Sequence, residues 1–177
     1  MTCHMESTVA PLTSQSAEMQ RAELERELET LHPASWAWAL GCCRRNRDDA
    51  DDVLQSVYVM VLDGRAKFDE RSAFKTWLFG VIRRTALASY RRRAVRNALL
   101  LRFLDRTQHS DPPSSEPHLV RSLARLPRRQ REVIELVFYH DLTVDGAAAI
   151  MGVSAGSARV HYDRAKKRLR VLLEGRT

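Results

Sequence analysis

The sequence has little of what loop-rich β folds require. It contains only seven glycines and six prolines in 177 residues, and this shortage favours helices over a fold with many tight turns. We find no alternation of apolar and polar residues long enough for strands, and no internal repeat. The sequence therefore predicts an all-α protein.

Cysteine is also scarce. The chain has three cysteines, Cys3, Cys42 and Cys43; an odd number that includes an adjacent pair does not suggest a disulfide framework. These thiols, together with His4, leave open a metal site or a redox sensor. Cys42 and Cys43, however, lie in an apolar helical run, where buried thiols are common. We therefore predict no metal and no cofactor.

Long hydrophobic runs are absent too. Residues 1–20 are polar and lack the apolar core of a signal peptide, and no later run reaches the length of a membrane span. We expect a cytoplasmic protein that does not insert into a membrane.

The motifs of common nucleic-acid enzymes are missing as well. The sequence has no His–Glu zinc pair, no glycine-rich phosphate loop and no paired carboxylates on separate elements. An enzyme is therefore disfavoured, and we predict no catalytic residue.

What the chain does have is positive charge in two places. Its formal net charge is +7. Residues 83–106 carry +7 and residues 154–176 carry +5, which leaves −5 for the remainder. Two basic segments on a faintly acidic background predict two contact zones for nucleic acid.

The residue pattern divides the chain into two helical domains. Residues 105–117 hold three prolines and three serines but no large apolar residue, which predicts a flexible linker. We therefore predict a disordered tail over 1–20, a first domain over 21–104 and a second over 118–177.

Local signals set the expected helices of the first domain. Pro33 separates an amphipathic helix over 21–31 from an apolar one over 36–43. Asn46 opens a third helix that ends before Gly64, and Ser72 is expected to cap the next one.

The second domain contains the most informative pattern, a helix-turn-helix. Ala148 is small enough for two helices to touch, and Gly152 suits the sharp turn between them. Ser154 is expected to cap the second helix, with Ala158 facing inward. Basic residues occupy the outer side of this helix, as in one that lies in the DNA major groove. The alternative interpretation is an ordinary α-hairpin with a solvated charged face.

Two stretches, in this order, resemble a known family. The first stretch consists of residues 49–55 (DADDVLQ), residues 74–82 (FKTWLFGVI) and the arginines that follow. The second consists of residues 126–133 (LPRRQREV), the helix-turn-helix and residues 165–170 (AKKRLR). Over nearly all of residues 21–174 the chain is similar to the group 4, or extracytoplasmic function (ECF), sigma factors of bacterial RNA polymerase. These sigma factors belong to the sigma-70 family.

The resemblance implies a function and a set of roles. Members direct core RNA polymerase to a promoter class, recognise its −35 and −10 elements, and assist promoter melting and transcription initiation. The residues implied to bind the clamp of the largest polymerase subunit are Asp51, Asp52 and Gln55. Those implied for the −10 element and melting are Lys67, Phe74, Lys75, Trp77, Arg83, Arg84, Arg91 and Arg92. Those implied for the −35 element are Ser157, Arg159, Val160, His161, Asp163, Arg164 and Lys167.

The chain departs from the family pattern at several positions. Arg84 stands where the family usually has Asn, and Gly146 and Ala147 replace a more typical Glu-Ile pair. The resemblance also implies an anti-sigma partner, often membrane-anchored, that covers the polymerase-binding surfaces. The remaining alternative is a stand-alone helix-turn-helix regulator, but such a protein needs neither the acidic helix nor the aromatic and Arg-rich one.

Overall fold

The computed structural model describes residues 12–100 and 118–174. The helices are α1 (Leu12–Cys42), α2 (Arg47–Leu62), α3 (Phe74–Leu100), α4 (His118–Ala124), α5 (Arg128–Ile134), α6 (Val144–Met151) and α7 (Ala155–Glu174). A π-helical segment, Glu135–Tyr139, continues α5. These residues contain no strand, and the all-α prediction is confirmed. The predicted linker, residues 105–117, and the first eleven residues of the predicted tail lie outside the described residues.

Helix α1 differs from the prediction of two helices separated by a proline. It runs unbroken through Pro33 and begins at Leu12, inside the predicted tail. An internal proline removes one backbone hydrogen bond and costs about 3 kcal/mol. Buried side chains on both sides of it, Leu28 and Trp38, hold the helix against the rest of the domain. Tertiary packing therefore overrides the local signal.

The signals around α2 act as predicted, whereas the one before α3 does not. The Asn46 side chain accepts a hydrogen bond from the Asp49 N–H at 2.9 Å, and Gly64 adopts a left-handed φ of 68° after the helix. The Ser72 hydroxyl instead donates to the Ala73 carbonyl at 3.4 Å, and α3 begins only at Phe74. The prediction that Ser72 caps α3 is wrong, because a cap must accept from the first turn.

The helix-turn-helix is confirmed. Gly152 takes a left-handed φ of 63°, and the Ser154 hydroxyl oxygen accepts from the Ser157 N–H at 3.2 Å. Ala148 and Ala158 are buried where α6 and α7 meet. Thr143, which the sequence analysis did not single out, caps α6 through the Gly146 N–H at 3.0 Å.

The two domains pack against each other. Helix α3 of the first domain lies against α6 of the second. Five buried side chains of the second domain belong to the same hydrophobic core as α1, α2 and α3: Val133, Leu136, Ala147, Ile150 and Met151. A smaller cluster, which includes Ile134 and Ala165, joins α4 and α5 to α7. The structure therefore has a closed arrangement of two domains that the sequence treats as separate.

Candidate nucleic-acid and polymerase-binding surfaces

The first surface is the outer face of α2, which presents carboxylates. Asp51, Asp52 and Gln55 are all exposed, while the opposite side of the helix is buried. The Trp36 indole N–H donates to Asp51 Oδ1 at 2.7 Å, which fixes the direction of that carboxylate. Asp49 differs because it forms an ion pair with Arg93 of α3. The predicted polymerase-binding residues thus lie together on one accessible face.

A shallow open groove continues this face toward the end of α2. It is lined by Gln55, Ser56, Val59, Met60 and Arg65. Val59 is 44% exposed, so the face combines acidic side chains with an apolar strip. Such a combination suits a protein partner better than a nucleic acid.

A second surface is an aromatic cluster at the start of α3. Phe68, Phe74 and Trp77 lie with their ring centroids 5.3–5.4 Å apart. All three are half-buried, and Lys67 beside them is exposed. Phe74 and Trp77 are among the residues predicted from the sequence; Phe68, the aromatic residue of the loop directly before α3, is not. The cluster provides π-faces on which an unstacked base can lie.

The four α3 arginines predicted to bind the −10 element divide into two groups. Arg84, Arg91 and Arg92 are exposed and free to meet phosphates. Arg83 is buried: its guanidinium lies 3.1 Å from Glu132 Oε2 of α5, and the side chains are only 7% and 9% exposed. In this arrangement Arg83 therefore contacts the second domain and not solvent.

The third surface is the outer side of α7. Six of its seven predicted −35 residues are exposed, and His161 is half-buried. Ala158 and Ala165 are fully buried on the inner side, with Tyr162 and Leu169 packed beside the core. The helix therefore presents one polar, mostly basic side away from its own domain, as a major-groove helix must.

Asp145, a residue that the sequence analysis missed, contacts this surface. The Arg159 guanidinium lies 3.0 Å and 3.4 Å from the two carboxylate oxygens of Asp145, in the first turn of α6. Both side chains are more than 60% exposed. The pair fixes the direction of Arg159 without burying it.

The interface between the domains contains a buried histidine. The His140 ring lies edge-on against Phe79 and Trp38, with centroids at 4.8 Å and 5.9 Å. The backbone carbonyl of His140 accepts a hydrogen bond from Lys75 Nζ at 2.7 Å. Burial, and next the charge of Lys75, lower the pKa of His140 to about 4. The ring is thus neutral near pH 7. Lys75, one of the predicted −10 residues, is engaged across the interface.

Glu135 is the second titratable group with an unusual environment. Burial raises its pKa to about 7, against the lowering effect of Arg131 and Arg45, and Glu132 raises it further. A methyl group on Gly41 of α1 would lie 2.8 Å from Glu135 Oε2. The absence of a side chain at Gly41 therefore makes room for this carboxyl group.

The two described cysteines are poor candidates for redox chemistry. Burial, more than any neighbouring charge, raises the pKa of Cys42 well above its ordinary value and that of Cys43 to about 11. A protonated thiol is a weak nucleophile and a weak ligand. Among residues 12–100 and 118–174, no three His, Cys, Asp or Glu side chains form a group suited to a metal ion.

The fold is that of a helix-turn-helix protein with a second helical domain, and comparison with known proteins identifies the family. The model of sigma-70 region 2 matches residues 28–96, and that of sigma-70 region 4 matches residues 119–169. The chain belongs to the ECF sigma factors of the sigma-70 family. It is an RNA polymerase sigma factor, which acts in promoter-specific transcription initiation.

Individual relatives agree with this assignment. The chain is 33% identical over 123 residues to the ECF RNA polymerase sigma factor SigF of Caulobacter vibrioides, covering 68% of this chain and 69% of the relative. It is 30% identical over 133 residues to the sigma factor EcfG of Rhodopseudomonas palustris, covering 72% and 73%.

Two solved structures share the fold. One is the sigma factor RpoE of Bartonella quintana in complex with the anti-sigma factor NepR, with a TM-score of 0.70, 24% identity, and coverage of 88% of this chain and 99% of that one. The other is CnrH in complex with the cytosolic domain of CnrY, with a TM-score of 0.64, 24% identity, and coverage of 93% and 96%. None of the helices in the described part of this chain has the length and hydrophobicity of a membrane span.

Proposed function

We propose that the three surfaces divide the work of initiation among separate residues. Helix α2 binds core polymerase, the aromatic cluster with the arginines of α3 captures the −10 element, and α7 reads the −35 element. The observation that carries this division is their separation: an acidic face, an aromatic–basic face and a basic recognition helix lie on different helices. The protein performs no chemistry of its own and works in the cytoplasm beside the polymerase.

Polymerase binding through α2 rests on charge and accessibility. Asp51 and Asp52 are exposed and project from a helix whose other side is buried. The Trp36 hydrogen bond to Asp51 restrains one carboxylate, so less freedom is lost when a partner arginine or lysine pairs with it. The groove that Gln55 lines together with Val59 and Met60 extends the contact beyond the two carboxylates.

Capture of the −10 element rests on the aromatic cluster. An extruded base needs a stacking partner, and a base on an aromatic ring gains about 1–3 kcal/mol. Phe74 and Trp77, joined by Phe68, provide three rings within one small area. Lys67, Arg84, Arg91 and Arg92 are exposed along α3 and its preceding loop, where they hold the backbone phosphates of the opened strand.

Recognition of the −35 element rests on the outer side of α7. Arg159 and Arg164 are exposed near its beginning and middle, and an arginine that forms two hydrogen bonds with guanine discriminates by about 1–3 kcal/mol. Ser157, Val160, His161 and Asp163 complete the side that faces the groove, and Lys167 meets phosphate.

We also propose an anti-sigma partner that competes with core polymerase. The RpoE relative is seen in complex with an anti-sigma factor. In this chain two apolar exposed areas suit such a protein: Val59 beside the α2 carboxylates, and Phe138 with Tyr139, which are 59% and 56% exposed. A partner over both areas blocks the polymerase-binding face of α2.

The decisive experiment is transcription in vitro with core polymerase over a library of genomic fragments, with mapping of the 5′ ends. We expect initiation at a restricted set of sites that share one −35 and one −10 sequence. Random initiation, or none from a core enzyme that is active with another sigma factor, contradicts the proposal.

A further inference from the structure

The loop between α1 and α2 is basic, although the chain outside its two basic segments carries a net charge of −5. Residues 44–48 contain three arginines and one aspartate, which leaves +2. All five side chains are exposed. The next acidic residue, Asp49, is neutralised by its ion pair with Arg93 of α3. The loop is therefore a patch of positive charge outside the three surfaces described above.

Arg44 takes a backbone conformation that arginine rarely adopts. Helix α1 ends in a left-handed turn, in which the Arg45 N–H donates to the Leu40 carbonyl at 2.8 Å and Arg44 has a φ of 55°. Glycine usually occupies such a position because it has no Cβ to strain the turn. Other residues held in this conformation cluster at functional sites. The turn by itself gives no reason for a long charged side chain at this point.

The Arg44 side chain is held in place without being neutralised. Its guanidinium carbon lies 4.5 Å from the centroid of the Tyr90 ring of α3, and Tyr90 is 50% exposed. Stacking on a ring face leaves the N–H groups at the edge of the guanidinium able to donate. In the described part of the chain the Arg44 side chain has no ion pair and no hydrogen bond. An oriented guanidinium with unused donors suits a phosphate group.

The position of Tyr90 joins Arg44 to the basic side of α3. Arg84 and Arg91, both proposed to hold phosphates, stand seven residues apart and so lie on one side of the helix. Tyr90 directly precedes Arg91 and lies about 20 Å along the helix from Trp77 of the aromatic cluster. At about 3.4 Å per base pair, that distance corresponds to about six base pairs. Arg44 is thus placed to contact DNA beyond the captured bases.

A nucleic-acid partner fits this loop better than the polymerase does. The polymerase-binding face of α2 presents Asp51 and Asp52, so the surface that meets it is expected to be basic and to repel Arg44. We propose that Arg44, oriented by Tyr90, binds a backbone phosphate of the paired DNA that borders the −10 element. The contact contributes affinity and register but carries no sequence information. The inference rests on the proposed function of α3.

The test removes the guanidinium without straining the turn. Arg44→Gly places the preferred residue at the left-handed position, so the variant should fold as well as the wild type. The promoter affinity of the holoenzyme should fall, and its dependence on log salt should become shallower by about 0.9, the value for one phosphate contact. The deficit should therefore shrink about threefold between about 50 mM and about 200 mM salt. It should also be the same for every promoter that the holoenzyme selects.

Arg21→Ala is the matched control, because it also removes one exposed positive charge. Arg21 lies on α1, about 30 Å along the helix from the loop. The control variant should keep the promoter affinity and the salt dependence of the wild type. Binding of Arg44→Gly to core polymerase should equal that of the wild type, because the proposed contact is with DNA.

The role of the Tyr90 ring is tested separately. Tyr90→Leu should lower promoter affinity about two- to fivefold, as expected for the loss of an exposed cation–π contact. Tyr90→Phe keeps the ring face and should behave as the wild type. In the Arg44→Gly background, Tyr90→Leu should have no further effect. An equal loss in both backgrounds would refute the orienting role of Tyr90.

A measurement without polymerase distinguishes this inference from the proposed function. The arginine Nε–H resonances of the free protein are recorded by NMR with and without a DNA duplex of arbitrary sequence at low salt. The Arg44 resonance is identified by its loss in Arg44→Gly. It should shift when the duplex is added, whereas the Arg21 resonance should not.

Three results overturn the inference. The first is an Arg44→Gly holoenzyme with the promoter affinity and salt dependence of Arg21→Ala. The second is weaker binding of Arg44→Gly to core polymerase, because the partner of the loop is then a protein. The third is an Arg44 resonance that the duplex leaves unshifted. If the wild type fails to initiate with core polymerase while the Arg44 resonance still shifts, the proposed function fails and the phosphate site stands.

Discussion

The contact between Arg159 and Asp145 leads to a quantitative prediction about promoter affinity. Both groups are exposed on the helix-turn-helix, with oxygen–nitrogen distances of 3.0 Å and 3.4 Å. To reach a base or phosphate, Arg159 must share or leave the Asp145 carboxylate. We therefore expect Asp145→Asn to strengthen promoter binding and Arg159→Ala to weaken it.

The magnitudes follow from exposure. An ion pair between exposed groups contributes about 0.2–1 kcal/mol, and at 62% and 64% side-chain exposure this pair is of that kind. Release of Arg159 thus costs less than a bidentate contact with guanine provides, about 1–3 kcal/mol. Asp145→Asn should raise affinity by no more than about fivefold, and Arg159→Ala should lower it by about 5- to 150-fold.

The assay is a double-mutant cycle on holoenzyme, with promoter dissociation constants measured at one fixed salt concentration. The gain from Asp145→Asn should shrink or vanish in the Arg159→Ala background. Glu25→Gln is the control, because Glu25 forms an exposed pair with Arg21 at 3.0 Å on α1, away from both proposed DNA-binding surfaces. An equal gain in both backgrounds refutes the coupling, and an Arg159→Ala variant with unchanged affinity refutes the assignment of the DNA-facing side of α7.

Three other predictions concern polymerase binding, packing and pH. Asp51→Arg with Asp52→Arg should abolish binding to core polymerase in gel filtration and leave helical content unchanged, because both side chains are exposed. Ala158→Leu should lower the free energy of unfolding in urea by about 1–3 kcal/mol, because Ala158 is fully buried between α6 and α7. Burial raises the pKa of Glu135 from 4.5 to about 7, so the folded protein retains a proton that the unfolded chain releases. The stability contributed by Glu135 is full below its unfolded pKa and is lost as pH rises through about 7. Glu135→Gln should remove this loss from the dependence of the free energy of unfolding on pH. A variant with the same pH dependence as the wild type would contradict the argument.

Several helix boundaries could be predicted because their signals are local. Asn46, Gly152 and Ser154 act within three residues of the position that they define, so the sequence alone is sufficient there. Pro33 is also a local signal, but its effect was outweighed by the burial of Leu28 and Trp38, which depends on contacts distant in sequence.

Helical periodicity predicts which residues of the candidate site face inward or outward, but not which residues they contact. The period of 3.6 residues places Ala158 and Ala165 inward on α7, and both are buried. The contact partner of an outward-facing side chain does not follow from this period. Asp145 contacts Arg159 across the turn of the helix-turn-helix, and Phe68 joins the aromatic cluster through the path of a loop. Neither contact follows from a repeating pattern.

Arg83 illustrates why sequence reasoning stops at this point. Within α3 it belongs to a series of arginines, and a series of like charges is usually a solvated face. Its three-dimensional neighbour is Glu132, a residue of a helix that sequence patterns assign to another domain. The burial of Arg83 therefore depends on a contact that is distant in sequence, and the position of Arg83 within the helix does not determine it.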